Sequence, residues 1–237
     1  MGGAVYGEVD LTDDLLRVLK VAAKFALARG AELPADVRDV LFGKAAGDMG
    51  SINATYHDAI TQALIDYFEG GGSVTSPRNS FRRATLTAFQ DAFDLGYSDG
   101  GGELPVDEEA TAWLNARTNE EFGNIDGLFE QAKEFRKDKE FDYFSWATSR
   151  ADGYSSAAMS VYNSAVLMAK KNQMLTWRLG QTESHCSTCS ELNGNSHRAS
   201  WYISRDYIPR KPGASMECNG YNCDCRLETK DGKEVTI

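Results

Sequence analysis

Cys186-Ser187-Thr188-Cys189 is a C-x-x-C pair, and after 28 intervening residues Cys218-Asn219-Gly220-Tyr221-Asn222-Cys223-Asp224-Cys225 brings three more cysteines. All five cysteines of the 237-residue chain fall in this 40-residue window, and none stands in the first 185 residues. A tetrahedral zinc ion takes thiolates at about 2.3 Å, and C-x2–4-C knuckles deliver such ligands in pairs. The spacing therefore predicts one closed, structural zinc. Cys186, Cys189, Cys218 and Cys223 make the first ligand set, with the second pair meeting around the Asn-Gly turn. Cys225 is a near-equal substitute. Pairing Cys223 with Cys225 requires a bent backbone, because residues i and i+2 of a regular strand face opposite sides. His197 is a lesser candidate for the fourth ligand.

Other chemistries fit the same residues less well. A disulfide framework belongs to secreted chains with paired cysteines, and five is an odd number. A redox C-x-x-C needs a thioredoxin-like βαβ context that is missing here. A deaminase-type catalytic zinc needs H-x-E followed by P-C-x-x-C, which is absent. His185 and His197, with Asn193, Asn219 or Asn222, allow a metal-dependent nuclease as the rival reading, against the simpler one of polar residues on turns beside a zinc knuckle. His57 reads as a solvated residue on the polar side of a helix. Glu120, Glu121, Glu130, Glu134, Asp138, Glu140 and Asp142 read as a solvated face, since Lys133, Arg136, Lys137 and Lys139 interleave with them. No P-loop, G-x-S-x-G or H-E-x-x-H motif occurs.

The elements that position the cysteines divide into a long helical stretch and a short tail. Apolar residues return every three or four positions through residue 172, which predicts consecutive helices. One contains Leu15, Leu16, Leu19, Ala22, Ala26 and Leu27, and a shorter one starts at Pro34. A third carries Tyr56, Ile60, Ala63, Leu64 and Phe68 on one face. A fourth carries Phe81, Ala84, Ala88, Phe89, Ala92 and Phe93. Asp107–Ala116 and Phe122–Phe135 read as one broken helix or two adjacent ones, and the last helix holds Ala147, Ala151, Tyr154, Ala158, Val161, Tyr162 and Ala165. The glycine triplets at 70–72 and 100–102 predict joints at 70–76 and 98–106. From Met174 the β-forming run MLTWRLG predicts a strand. The fold class is thus mainly α: a helical body over 1–173 and a small β-rich, zinc-stapled module over 174–237, too poor in aliphatic residues to fold on an ordinary core.

Composition sets outer bounds. With 42% hydrophobic and 11% aromatic residues the chain can bury a core, and 27 glycines and prolines in 237 residues exclude a collagen-like class. No apolar run approaches the roughly 20 residues of a membrane span, and MGGAVYGEVD shows no basic n-region or apolar h-region, so a cytoplasmic protein is expected. The net charge is −10, with 7 basic and 8 acidic residues after residue 180, so the acidic excess belongs to the helical part. Such a field repels a phosphate backbone and argues against direct nucleic-acid binding.

Trp177, the run TESHCSTCSELNG, His197 with Ser200-Trp201-Tyr202, and IPRKPGASMECNGYNCDCRL, in that order, resemble the C-terminal module of phage head-morphogenesis proteins, the minor head proteins typified by the Mu F protein. Cys186, Cys189 and Gly194 match its first half and Cys223-Asp224-Cys225-Arg226 its second, with Cys218 standing where a histidine often appears. The resemblance covers residues 174–228. It implies a non-enzymatic component of the phage head that acts in capsid assembly near the portal, made in the host cytoplasm and carried into the virion. Its implied partners are portal and/or major capsid proteins, with a homo-oligomer also open. The readings from other classes are a phage zinc-dependent nuclease acting during packaging and a zinc-ribbon protein–protein adaptor.

Overall fold

The computed structural model describes residues 48–70, 73–181, 184–211, 213–220 and 223–235. The helices predicted around Leu15–Leu27 and from Pro34, two residues of the first glycine triplet, and Tyr221 and Asn222 lie outside the described residues. Four long helices are followed by a small sheet with two short helices: α1 Met49–Glu69, α2 Thr75–Asp99, α3 Glu108–Phe135, α4 Tyr143–Ala169, β1 Met174–Arg178, α5 Ser187–Leu192, β2 Ser196–Arg198, α6 Ala199–Ser204, β3 Arg226–Glu228 and β4 Glu234–Val235. The chain is mainly helical with an antiparallel sheet at its C-terminal end. Among the described residues no helix is long and apolar enough to cross a membrane.

Three of the long helices start on aspartates that satisfy free backbone N–H groups. Asp48, Asp107 and Asp142 accept from the N–H of Ser51, Ala110 and Ser145 at 3.0, 2.9 and 3.0 Å. At α3 the acids Glu108 and Glu109 add negative charge to the positive end of the helix. Lys171, just past α4, bridges Asp107 at 2.9 Å and Glu109 at 3.0 Å and so ties the start of α3 to the end of α4.

α4 is the central helix. Its packing against α1 and α2 is the most extensive in the molecule, and nine consecutive residues, Ser160 to Met168, are buried, so the helix is covered all round near its end. Gly96 and Gly100 are what let α2 approach it. A Cβ at Gly96 would stand 2.4 Å from the carbonyl oxygen of Tyr162, and one at Gly100 would stand 2.7 Å from that of Val166. The backbones therefore meet where only glycine fits. The second predicted joint thus begins inside a tight helix–helix contact, and Tyr162 closes it by donating a 2.8 Å hydrogen bond to Asp99.

The region read as one broken helix or two is a single helix of 28 residues. The interruption in the apolar pattern is real, but the residues that cause it remain on the core face: Leu114, Thr118, Glu121, Ile125 and Leu128 are all buried at helical spacing. Glu121, which the charge pattern placed on a solvated face, is only 3% exposed. It is paired with Arg117 at 3.1 Å and accepts a 3.2 Å bond from Asn124. The Arg117–Glu121 spacing of four within one helix is what satisfies it.

The sheet runs β2-β1-β3-β4, antiparallel throughout, with Leu175 opposite His197 and Trp177 opposite Leu227. Trp177 is fully buried and is neighboured by Tyr202, whose ring lies 6.1 Å away and whose hydroxyl donates to the Leu175 and Asn195 carbonyls at 3.2 Å. Burial pushes that hydroxyl up to about 12. The buried residues of this tail join those of the helices in one continuous core, from Ile52 to Val235. Backbone bonds from Ala199 and Ser200 to the carbonyls of Gln173 and Lys171, at 2.9 and 3.0 Å, hold α6 against the segment leaving α4.

Candidate metal centre

Each cysteine is delivered by a short irregular segment whose local conformation has an evident cause. Cys186 has extended dihedrals and caps α5, its sulfur accepting the Cys189 N–H at 3.4 Å. One turn of helix then brings the Cys189 sulfur back beside that of Cys186, which is how a C-x-x-C at a helix start presents two ligands to one point. Asn219 and Gly220 both have positive φ, 49° and 73°, so the chain doubles back after Cys218 and the Gly220 N–H turns toward the Cys218 sulfur. A side chain at Gly220 would also strike the Lys211 carbonyl oxygen at 1.9 Å.

Cys223 and Cys225 sit on irregular backbone just before β3, with both sulfurs turned inward. This meets the condition that their pairing requires, a departure from strand geometry. The bend is fixed from outside: Gly180 lies so close to Asp224 that a Cβ would come within 2.0 Å of its carbonyl oxygen, and the Gln181 N–H bonds the Asp224 carboxylate at 3.1 Å. Arg210 pairs with the same carboxylate at 3.0 Å. A second latch joins the two halves of the cluster without involving sulfur. Glu217, next to Cys218, accepts from the N–H and hydroxyl of Ser187 at 2.8 and 2.6 Å.

All five thiols converge. The sulfurs of Cys186, Cys189 and Cys218 lie within 4.8 Å of one another, and so do those of Cys189, Cys223 and Cys225. Cys189 and Cys225 are buried and the other three are partly exposed. The predicted cysteines thus fall into two triads that share Cys189, with Cys225 inside the second, and the first ligand set, Cys186, Cys189, Cys218 and Cys223, is not drawn together as four. The crowding splits the thiols into donors and acceptors. Cys225 donates to Cys223 and, with the N–H groups of Arg210 and Cys225, lowers the Cys223 thiol to about 5 despite its burial. Cys225 is correspondingly raised, first by donating that bond and then by burial. Burial raises Cys189 and Cys218, whereas for Cys186 the bonds from Cys189 and Cys218 outweigh burial and lower it.

A set of five crowded sulfurs, one of them already favoured as the thiolate, gains little from S–H bonding, since thiols are weak donors. It fits a soft cation, whose binding releases the protons and turns every sulfur into a thiolate. The cluster can thus bind a metal ion.

The histidines divide. His185 stands beside the cluster, with Nδ1 4.0 Å from the Cys225 sulfur. His197 lies on β2 and stacks on Trp201 with ring centres 3.7 Å apart, while the Arg205 guanidinium stands 4.3 Å from the same indole. The candidate ligand groups among the described residues include neither histidine. His57, read as solvated, is paired with Asp152 at 3.2 Å and is about one quarter exposed. A cleft of about 520 Å³ is lined by residues of α3 and α4, among them Gly123, Gly127, Gly153, Arg117 and Arg150, and by Gly213 of the tail, but by none of the cysteines. The structure thus defines a class of site, a cluster of five cysteines able to bind a metal ion, in a small β-rich tail. Comparison with protein-family models, with curated proteins and with solved structures gives no match for this chain.

Proposed function

We propose that this chain is a non-enzymatic minor head protein of a phage, acting in capsid assembly near the portal, and that the metal its cysteines bind is zinc with a structural role. The observation that carries the reading is the convergence of Cys186, Cys189, Cys218, Cys223 and Cys225 in the segment whose motif order resembles the head-morphogenesis module. Two further features support it. The module has strands of two to five residues and helices of six, so its own secondary structure gives it little stability, and a metal staple supplies what such short elements lack. The acidic helical part suits docking on a basic surface of an assembly partner. An all-thiolate set with C-x-x-C spacing favours zinc, which imposes no geometry of its own beyond four ligands.

The experiment has two arms. Elemental analysis of protein purified under reducing conditions is expected to find zinc, with thiols unreactive until denaturation. Co-expression with portal and major capsid proteins is expected to place the chain in sedimenting assemblies. Five freely titrating thiols and no zinc would remove the metal assignment, and absence from assemblies would remove the head assignment.

A further inference from the structure

The five sulfurs are too many for one tetrahedral ion, and their arrangement is not that of four ligands with a spare. Four thiolates around zinc lie about 3.8 Å from one another, the edge of a tetrahedron with bonds of about 2.3 Å. No four of these five sulfurs lie mutually within 4.8 Å. They form two groups of three, and the two groups have one member in common, Cys189.

We infer that the module holds two zinc ions bridged by the Cys189 sulfur, one bound by Cys186, Cys189 and Cys218 and the other by Cys189, Cys223 and Cys225. The inference rests on the zinc assignment proposed above and extends it from one ion to a two-metal thiolate cluster.

Three observations point the same way. The Cys189 N–H lies 3.4 Å from the sulfur of Cys186, a ligand that would be terminal, while the Cys189 sulfur itself is set among those of all four other cysteines. A terminal thiolate keeps more charge than one shared between two cations and gains more from a backbone donor. Charge gives the second argument. Four thiolates on one ion leave a net −2 and an unused thiol, whereas five on two ions leave −1, the smaller charge to bury. The third is access. Cys223, in the inner triad, is partly exposed, so water reaches the fourth corner of the inner ion. Cys186 and Cys218 are partly exposed, so water reaches the fourth corner of the outer ion.

The test is metal stoichiometry on the full chain, purified without oxygen and dialysed against a weak chelator. Two zinc ions per wild-type chain are expected, falling to one in Cys186→Ser and one in Cys225→Ser, since each removes a terminal ligand of a single ion. Cys189→Ser is expected to lose both. Should that variant fail to fold, cobalt substitution of the wild type decides the bridge: the paramagnetic resonance signal per cobalt is expected to fall as the second equivalent binds, because a shared sulfur couples the two spins. One zinc per chain, or a cobalt signal that grows in proportion to both equivalents, would overturn the two-metal cluster and leave the structural zinc site standing. No zinc at all would overturn both.

Discussion

Between Met49 and Ala169 the chain buries Ile60, Phe81, Phe89, Phe93, Ile125, Phe129 and Leu167 along helices of 21 to 28 residues. Among the described residues between Met174 and Val235 no helix exceeds six residues and no strand exceeds five. The first region gets its order from repeated apolar faces, each weak alone and cumulative over many turns. The second gets it from five sulfur atoms, a latch at Glu217 and a small apolar set around Trp177, Tyr202, Leu175 and Leu227. Loss of one contact in the helices is therefore shared among many, whereas loss of the sulfur cluster removes the common point of all the segments around it.

Removing the proposed zinc breaks this comparison most severely. Structural zinc contributes on the order of 10 kcal/mol to folding in small domains. A strong chelator is therefore expected to abolish the near-ultraviolet dichroism of Trp177 and Tyr202 while far-ultraviolet helicity falls little. If helicity collapses with it, the two regions share one stability and the contrast fails.

The next effect tests the helical side at its closest approach. Gly96→Ala places a methyl 2.4 Å from the Tyr162 carbonyl and is expected to cost about 3 kcal/mol, or roughly 10 °C in Tm, with metal content unchanged. Calorimetry with parallel zinc analysis reads both.

Glu121 gives a smaller effect whose sign depends on pH. Burial raises its folded carboxyl above the usual value near 4.5, against the opposing pull of Arg117. The folded chain holds this proton more tightly, so its contribution is fully present below the unfolded value and is lost as pH rises through the folded one. Glu121→Gln is expected to remove that downward slope, so that the stability of the variant relative to the wild type rises with pH above 4.5, read by urea unfolding at a series of pH values, with a change under about 2 kcal/mol. The smallest effect is Lys137→Ala. It breaks an exposed pair with Glu134 and is expected to change stability by less than about 0.5 kcal/mol in urea titrations.

The sequence made one region legible through repetition and the other through composition. Tyr56, Ile60, Ala63 and Leu64 are buried on α1 as their spacing predicts, and MLTWR is β1. Where the pattern misled, polar residues sat in core positions. Thr118 and Glu121 look like a gap in α3, yet each falls a helical turn from Leu114 or Ile125, and that phase is the signal that places them inside. The packed role of Gly96 and Gly100 could not be read from a glycine cluster, since the same letters serve a flexible joint and a close contact. The cysteines were legible as a set because nothing else in the chain clusters so tightly. Their division into two groups was not, for it depends on Cys186 capping α5 and on Gly180 packing against Asp224. α5, α6 and β2 to β4 are too short for periodicity to mark them.

One feature of α4 has a mechanical side. Only the turn from Lys170 to Gln173 separates this central helix from β1, and β1 is an inner strand of the sheet. In that turn the Lys170 and Lys171 N–H groups bond back to the Leu167 and Met168 carbonyls at 3.1 Å and that of Gln173 to the Lys170 carbonyl at 2.7 Å, so there is no slack between the buried end of the helix and the strand.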